Sequence, residues 1–185
     1  MRYAGVDYYM FTDFKDFADK IKTVTISEGI TRIVQRTFED CINLTSISLP
    51  NSLESIDDYV FFNCVSLTTI TIPEGLKREN VAYGGSNDPF FNCPSLKHII
   101  WNAVDFEEPC LMFHYLDIQN YGTGSSAQIE DITFGDKVKN IPNTICSGMT
   151  GLEEVVIPAS VEIIGNGAFD GAGIKKVILN EGRKR

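Results

Sequence analysis

A short alternation of apolar and polar residues recurs seven times along the chain. Each copy has an apolar starting residue, and two further apolar residues follow three and five positions after it. Apolar side chains two residues apart are typical of a short strand with one buried face. A turn former follows each copy. The pattern predicts seven short strands, whose copies start at Ile21, Leu44, Leu67, Leu96, Ile129, Leu152 and Ile174.

The spacing of these copies predicts a stacked repeat. The starts are 23, 23, 29, 33, 23 and 22 residues apart, which indicates a period of 23 residues with two insertions. The second half of each copy repeats as well, with apolar pairs such as Leu53 and Ile56 and a cysteine three residues after Phe38, Phe61 and Phe90. We therefore predict units of strand, turn, short extended piece and one helical turn. One unit cannot bury its apolar side alone, whereas stacked units bury a continuous core.

The residues before the first strand predict a cap. Phe14, Phe17, Ala18 and Ile21 follow the i, i+3, i+4, i+7 spacing of a short amphipathic helix. Such a helix would cover the first coil, as the ends of repeat arrays require. At the far end the last strand runs into a basic tail, which either discourages edge pairing or leaves this edge as a contact surface. The predicted organisation is a helical cap at 1–20 and a repeat array at 21–185, with insertions at about 77–88 and 103–128.

Two stretches carry a family resemblance. Residues 44–67, LTSISLPNSLESIDDYVFFNCVSL, and residues 155–169, VVIPASVEIIGNGAF, resemble the leucine-rich repeat of bacterial BspA-like surface proteins. The resemblance covers about residues 21–180, with a gap near 103–128. It implies an α/β solenoid, a right-handed superhelix of about seven coils with short parallel strands on one face. It also implies a cell-surface or secreted setting and recognition of a protein or glycan, without catalysis.

Composition and charge exclude some classes of function. The 185 residues contain 16 Lys and Arg against 25 Asp and Glu, a formal charge of −9. This balance argues against a nucleic-acid partner. No apolar run approaches the ~18 residues of a membrane span, and Asp7 and Asp13 interrupt any signal-peptide core. We expect a chain that is either cytosolic or a trimmed mature segment, and a monomer unless its ends stack.

Candidate chemistry is sparse. The sequence has five cysteines and no CxxC pair, so Cys41, Cys64 and Cys93 are predicted to be core thiols rather than bridges between coils or metal ligands. Cys110 and His114 have helical spacing for a thiolate–imidazole pair, but no orienting third group accompanies them. No phosphate-binding, dinucleotide-binding or zinc-protease motif occurs. We therefore predict a non-enzymatic protein with no cofactor and no metal.

The outward side of the predicted strands is the candidate binding surface. His98 lies on it, in a row of polar residues, and Ile100 lies in the neighbouring row. Trp101 lies on the inward side, which predicts core packing rather than sugar stacking. The alternative is that the outward rows are merely solvated and that the insertions are tolerated loops. The candidate binding residues are Tyr83, Asn87, His98, Ile100, Tyr121, Asp131 and Glu154. The sequence thus favours a recognition module, and the alternative is a structural spacer without a ligand.

Overall fold

Short parallel strands form most of the regular structure. The computed structural model describes residues 12–80, 88–106, 110–113 and 125–181. Within these ranges the strands are β1 Thr23–Thr25, β2 Arg32–Ile33, β3 Ser46–Ser48, β4 Ser55–Asp57, β5 Thr69–Ile72, β6 Arg78–Asn80, β7 His98–Trp101, β8 Asp131–Phe134, β9 Asn140–Ile141, β10 Glu154–Ile157, β11 Ile163–Ile164 and β12 Lys176–Leu179.

The seven predicted strands form one row, which we call the first ribbon and which comprises β1, β3, β5, β7, β8, β10 and β12. Within it β1 pairs with β3, β7 pairs with both β5 and β8, and β10 pairs with β12, always in parallel. The pairing aligns the predicted apolar columns, since Ile70 lies opposite Ile99 and Ile99 lies opposite Ile132. The periodicity therefore predicts both the strands and their register.

A second ribbon, made of β2, β4, β6, β9 and β11, forms where the sequence predicts only a short extended piece. These strands also pair in parallel, β4 with β2 and β6, and β9 with β11. Backbone groups of neighbouring coils hold it together. Glu54, for example, donates its N–H to the carbonyl of Thr31 (2.8 Å) and accepts the N–H of Lys77 (3.0 Å). Arg32 adds two side-chain hydrogen bonds to the carboxylate of Asp57, at 2.9 and 2.7 Å.

The core lies between the two ribbons and contains a column of stacked phenylalanine rings. Ring centroids are 5.6 Å apart for Phe38 and Phe61, 4.9 Å for Phe61 and Phe90, and 5.5 Å for Phe90 and Phe113. Trp101 is also fully buried, as its inward position predicts. Phe113 lies 23 residues after Phe90, so it occupies the position that the period assigns to the next ring of the column.

Single turns replace the predicted helical turns. Each is closed by a hydrogen bond between residues three apart, such as the N–H of Cys64 to the carbonyl of Phe61 (3.1 Å). The second residue after each ring of the column then takes a left-handed conformation in successive coils, with φ of 61° at Asp40, 60° at Asn63 and 58° at Asn92. Asp and Asn tolerate this region better than most residues, and a right-handed helix cannot propagate through it.

A 3-10 helix, Thr12–Lys20, lies at the N-terminal end of the array. Its Ala18 is buried, and the ring of Phe14 stacks on Phe38 with centroids 6.2 Å apart. Phe17 is 55% exposed, so the predicted apolar face is wrong at this residue. With three residues per turn instead of 3.6, positions 17 and 18 point further apart than in an α-helix. A second 3-10 helix is Ser125–Gln128, and among the described residues no helix has the length and apolarity of a membrane span.

The opposite end of the array is apolar and open to solvent. Val177 and Leu179 of β12, in the same inward columns as Ile70 and Ile72, are 55% and 68% exposed. Ile164 of β11 is also exposed. We call the surface formed by β11 and β12 the C-terminal edge.

Candidate functional site

The outward side of the first ribbon, here called the ribbon face, is a regular lattice of side chains. Exposed and buried residues alternate strictly along β5, β8 and β10, so every second side chain points to solvent. The strand pairing aligns these side chains in two rows across the coils. One row is Thr23, Ser46, Thr69, His98, Asp131, Glu154 and Lys176, and the other is Thr25, Ser48, Thr71, Ile100, Thr133, Val156 and Ile178.

The ribbon face divides into two chemically different halves. On β1, β3 and β5 both rows consist of serine and threonine hydroxyls only. From β7 onwards one row consists of ionisable residues, and the other contains Ile100 and Val156, which are 37% and 39% exposed. Thr133 lies opposite Ile100 on the strand between them. This second half therefore presents two exposed apolar side chains and the partly buried Ile178 beside a row of ionisable groups.

Ionisable side chains on the second half contact each other in pairs between neighbouring coils. The Nδ1 atom of His98 contacts the carboxylate of Asp131, and the ammonium of Lys176 lies 2.8 Å from the carboxylate of Glu154. Such exposed pairs each contribute about 0–1 kcal/mol to stability. Their main effect is a polar border of low net charge beside Ile100 and Val156.

A further ion pair adjoins this border. Lys97 hydrogen-bonds the carboxylate of Glu130, one residue before His98 and Asp131 respectively. This hydrogen bond, with the charge of Lys97, lowers the pKa of Glu130. The carboxylate therefore stays ionised at neutral pH, which keeps the pair intact under ordinary assay conditions.

The structure brings four of the seven candidate residues together. His98, Ile100, Asp131 and Glu154 lie on three successive strands of the ribbon face. The other three candidates, Tyr83, Asn87 and Tyr121, lie outside the described residues. The described part of the site is therefore a strand surface.

The cysteines behave as the sequence predicts. All five are buried, and none forms a disulfide bond. The thiol of Cys64 donates to the carbonyl of Phe38 (3.3 Å), and that of Cys93 donates to the carbonyl of Phe61 (3.1 Å). Burial raises the pKa of Cys41 to about 11 and raises that of Cys64 further. These groups are core thiols that remain protonated at neutral pH.

The Cys110–His114 pair, which has helical spacing in the sequence, has no accessible thiol. Cys110 is buried and its N–H donates to the carbonyl of Asn143 (3.4 Å), whereas His114 lies outside the described residues. Across the described ranges no cluster of His, Cys, Asp and Glu has the arrangement of a metal site.

One partly buried aromatic cluster is absent from the sequence prediction. Tyr59, Phe62 and Phe91 form a cluster in which the rings of Phe62 and Phe91 stack 5.7 Å apart and Tyr59 meets both edge-on. The guanidinium of Arg36 lies 4.7 Å from the centroid of the Tyr59 ring. The sequence feature that indicates this cluster is the tetrapeptide FFNC, which occurs at both 61–64 and 90–93. The first Phe of each copy is core, and the second forms this cluster.

Comparisons with known proteins agree with this architecture. Residues 10–103 and 114–185 match the family described as BspA type leucine rich repeat region, with six copies. The T. pallidum leucine-rich repeat protein TpLRR is similar in structure, with a TM-score of 0.52 and 22% identity over 83% of this chain. A leucine-rich repeat protein from Eubacterium ventriosum gives a TM-score of 0.52 and 18% identity over 83% of this chain.

Those structural likenesses show the fold alone. The chain spans 64% of the length of TpLRR and 44% of the E. ventriosum protein. No curated protein sequence matches the chain.

Proposed function

We propose that this chain, which belongs to the BspA-type leucine-rich repeat family, is a non-enzymatic recognition module that binds an extracellular protein or glycan on its ribbon face. The proposed setting is the cell surface or the secreted fraction, as the family suggests. The proposed architecture is a right-handed superhelix of about seven coils. Strand surfaces of such arrays are extended and suit extended partners.

The observation that carries the proposal is the exposure of Ile100 and Val156. Both residues occupy outward positions where the first three strands of the ribbon have only hydroxyl groups. Solvation of a sheet needs no apolar side chain at these positions, whereas a small apolar centre with a polar border resembles the core and rim of a protein interface. The border is supplied by His98, Asp131 and Glu154.

The insertions extend the proposed site. Tyr83 and Asn87 belong to the insertion predicted at about 77–88, whose residues 78–80 form β6, and Tyr121 belongs to the insertion predicted at about 103–128. These insertions follow consecutive coils, and loops rich in tyrosine and small polar residues are suited to adaptable contacts. We propose that they add contacts beside the strand surface.

A binding screen tests the proposal. The purified chain would be titrated against immobilised extracellular-matrix proteins and a glycan panel, beside the double variant Ile100→Ala, Val156→Ala. We expect a saturable partner whose affinity falls by about tenfold in the double variant, the cost of removing a modest hot spot. Ile42→Ala is the matched control, because Ile42 is similarly exposed at 38% but lies in a turn.

Loop contributions need single substitutions. Deleting residues 77–88 would remove strand β6, which pairs with β4, and would confuse misfolding with loss of contact. Tyr83→Ala and Tyr121→Ala avoid this problem. A partner that binds the double variant as tightly as the parent chain would contradict the proposed surface, and equal loss in Ile42→Ala would show a non-specific effect.

A structural spacer is the second candidate function. The C-terminal edge favours it, since its exposed apolar columns are those that contact a following coil elsewhere in the array. If the folded chain binds no protein or glycan in the screen, the spacer becomes the better description.

A further inference from the structure

The turns that follow β3 and β10 have the same backbone hydrogen bond and the same donor groups. We call them the β3 turn (residues 50–53) and the β10 turn (residues 158–161). In each, the N–H of the fourth residue donates to the carbonyl of the first, at 3.1 Å in both. Each turn has proline at its first position and serine at its third. Because the N–H groups of the two central residues take no part in this bond, each turn presents two backbone donors and a serine hydroxyl.

A glutamate of the preceding coil is bound to the β3 turn. The carboxylate of Glu28 accepts the N–H groups of Asn51 (2.9 Å) and Ser52 (3.0 Å). These two bonds, with a smaller contribution from the Ser52 hydroxyl, lower the pKa of Glu28. The Oγ atom of Ser52 also accepts the N–H of Gly29 (2.8 Å) and donates to the carbonyl of Ile30 (2.9 Å). Both backbone donors and the hydroxyl of the β3 turn therefore have partners.

The β10 turn has the same donors, but the preceding coil supplies no acceptor. Asp136 lies 23 residues before Ala159, as Glu28 lies 23 residues before Asn51. Among the described residues, none accepts the N–H of Ala159 or of Ser160. The Oγ atom of Ser160 is buried and likewise has no hydrogen-bond partner there. The β10 turn therefore presents three donors that the described chain leaves without an acceptor.

The turn that follows β5 indicates that side-chain length causes this difference. There Asn51, which has the length of an aspartate, takes the place of Glu28 and accepts a single N–H, that of Glu74, at 3.4 Å. Of the three turns, the one that faces a glutamate is the one in which both central N–H groups are bound. Asp136 has one methylene less than Glu28, so it is too short to bind both donors of the β10 turn.

The surroundings of the β10 turn suit a carboxylate from outside the chain. Lys137 lies where the β3 turn has Gly29, and its ammonium is 2.9 Å from the carboxylate of Glu74. Asp136 would repel an incoming anion, and Lys137, which attracts the carboxylates of both Glu74 and Asp136, offsets this repulsion. Val156 of the ribbon face precedes the turn by two residues, or about 7 Å of extended strand. A partner bound at Val156 can therefore place an acidic side chain on the turn.

We propose that the β10 turn binds the carboxylate of an aspartate or glutamate side chain of a protein partner, through the N–H groups of Ala159 and Ser160 and the hydroxyl of Ser160. Hydrogen bonds to a carboxylate are shorter and stronger than those to a neutral acceptor. This inference rests on the proposed function, because the same partner covers Val156 on the ribbon face. It adds the chemistry of that partner, which is an acidic residue beside an aliphatic one.

Nuclear magnetic resonance with a defined peptide tests the site. The amide resonances of the isotope-labelled chain would be followed while acetyl-Ile-Glu-Ile-amide is added, and acetyl-Ile-Gln-Ile-amide is the uncharged control. We expect saturable shifts of the Ala159 and Ser160 amides with the glutamate peptide. The glutamine peptide should bind at least ~10-fold more weakly, because its amide oxygen is a neutral acceptor.

Asp136 offers two variants with opposite outcomes. Asp136→Glu should bind the turn from within, as Glu28 does at the β3 turn, so it should abolish the peptide-induced shifts and raise the melting temperature by about 2–4 °C. Asp136→Ala removes a like charge and should tighten peptide binding by about two- to threefold. Asp170→Glu is the matched control, because it makes the same change at an exposed turn residue and should alter neither quantity.

A proline at position 159 tests the backbone donor directly. Ala159→Pro removes one N–H, and proline is favoured at the second position of such a turn, so the fold should be preserved. An unchanged circular dichroism spectrum checks this. We expect the variant to bind the glutamate peptide at least ~10-fold more weakly than the parent chain.

Several results would overturn the proposal. These are the absence of shifts at Ala159 and Ser160, equal binding of the two peptides, and shifts that persist in Asp136→Glu. Tighter binding of a uronic-acid oligosaccharide than of the glutamate peptide would also do so, because the ligand would then be a glycan. A protein partner that is lost in the Ile100→Ala, Val156→Ala variant but retained in Ala159→Pro would support the ribbon face and contradict the turn. Peptide binding at the turn without any partner for the ribbon face would contradict the proposed function instead.

Discussion

Removing the ring of Phe61 should be among the costliest single changes to this fold. Phe61 is fully buried and is stacked between Phe38, with rings inclined by 9°, and Phe90, with rings inclined by 13°. Phe→Ala in a core costs about 3–5 kcal/mol. Part of that cost is the loss of two ring pairs, each worth about 0.5–1.5 kcal/mol beyond buried area. We expect Phe61→Ala to lower the free energy of unfolding by about 4–5 kcal/mol.

Two further variants separate the contribution of buried apolar volume from the contribution of ring stacking. Phe61→Leu keeps most of the buried apolar volume but loses both ring pairs, so we expect a loss of about 1–3 kcal/mol. Phe17→Ala removes a ring that is 55% exposed and should change stability by less than about 0.5 kcal/mol. The order of the three variants therefore follows from burial and stacking.

Guanidinium titration measures the free energy of unfolding of each variant. Trp101 is the single tryptophan of the chain and is fully buried, so its fluorescence reports on the core. Coincident fluorescence and circular dichroism transitions would justify a two-state treatment. A loss for Phe61→Ala below about 1.5 kcal/mol, or no larger than that of Phe17→Ala, would refute the view that the ring column supports the array.

Four other predictions rest on single features. Ile70→Asp buries an unpaired carboxylate in the middle strand and should unfold the array, so a soluble variant with an unchanged melting temperature would contradict the stacking of coils. Gly75→Ala would bring a Cβ atom to 1.9 Å from the carbonyl oxygen of Asn51 and should cost about 1–3 kcal/mol in a denaturant titration. A chromogenic thiol reagent at neutral pH should label none of the five cysteines in the native chain and all five in denaturant; rapid native labelling would show that the core opens. The carboxylate of Glu28 accepts the N–H groups of Asn51 and Ser52, which lowers its pKa below 4.5, so the stabilisation is present above that value and is lost as the pH falls through the folded pKa. The melting temperature of Glu28→Gln should therefore lie below that of the parent chain at neutral pH and converge with it in acid, and a constant difference would exclude this linkage.

The sequence predicts the first ribbon better than the second. Columns such as Ile70, Ile99 and Ile132 are long enough for their period of two to be visible, and their register follows from the repeat. Strands of two residues, such as Arg32–Ile33, have no period of their own. They exist because the neighbouring coil supplies the facing backbone groups, which a local pattern does not contain.

The apolar pattern also does not predict the geometry of the turns and of the N-terminal helix. The sequence between Phe61 and Cys64 has helical spacing, but Asn63 takes a positive φ, so a single turn forms in place of a helix. The N-terminal helix has the predicted position but a 3-10 geometry, which turns Phe17 to solvent. Both outcomes depend on backbone geometry that the apolar pattern does not determine.

For the candidate site, the sequence predicts only which side chains point outward from the strands. Strand alternation alone gives the orientation of His98 and Ile100. The ion pairing of His98 with Asp131 depends on two residues 33 positions apart that the coil register brings together. The aromatic cluster around Tyr59 depends likewise on contacts between coils.

The pairing of β5, β7 and β8 shows how this fold separates its scaffold from its variable parts. These strands begin 29 and 33 residues apart instead of 23, yet they remain paired residue by residue. The additional residues therefore lie between the paired strands and do not change the register of the next coil. A junction between coils can accept a new loop without a compensating change elsewhere. Selection can therefore exchange surface loops one at a time, because the paired strands stabilise the array.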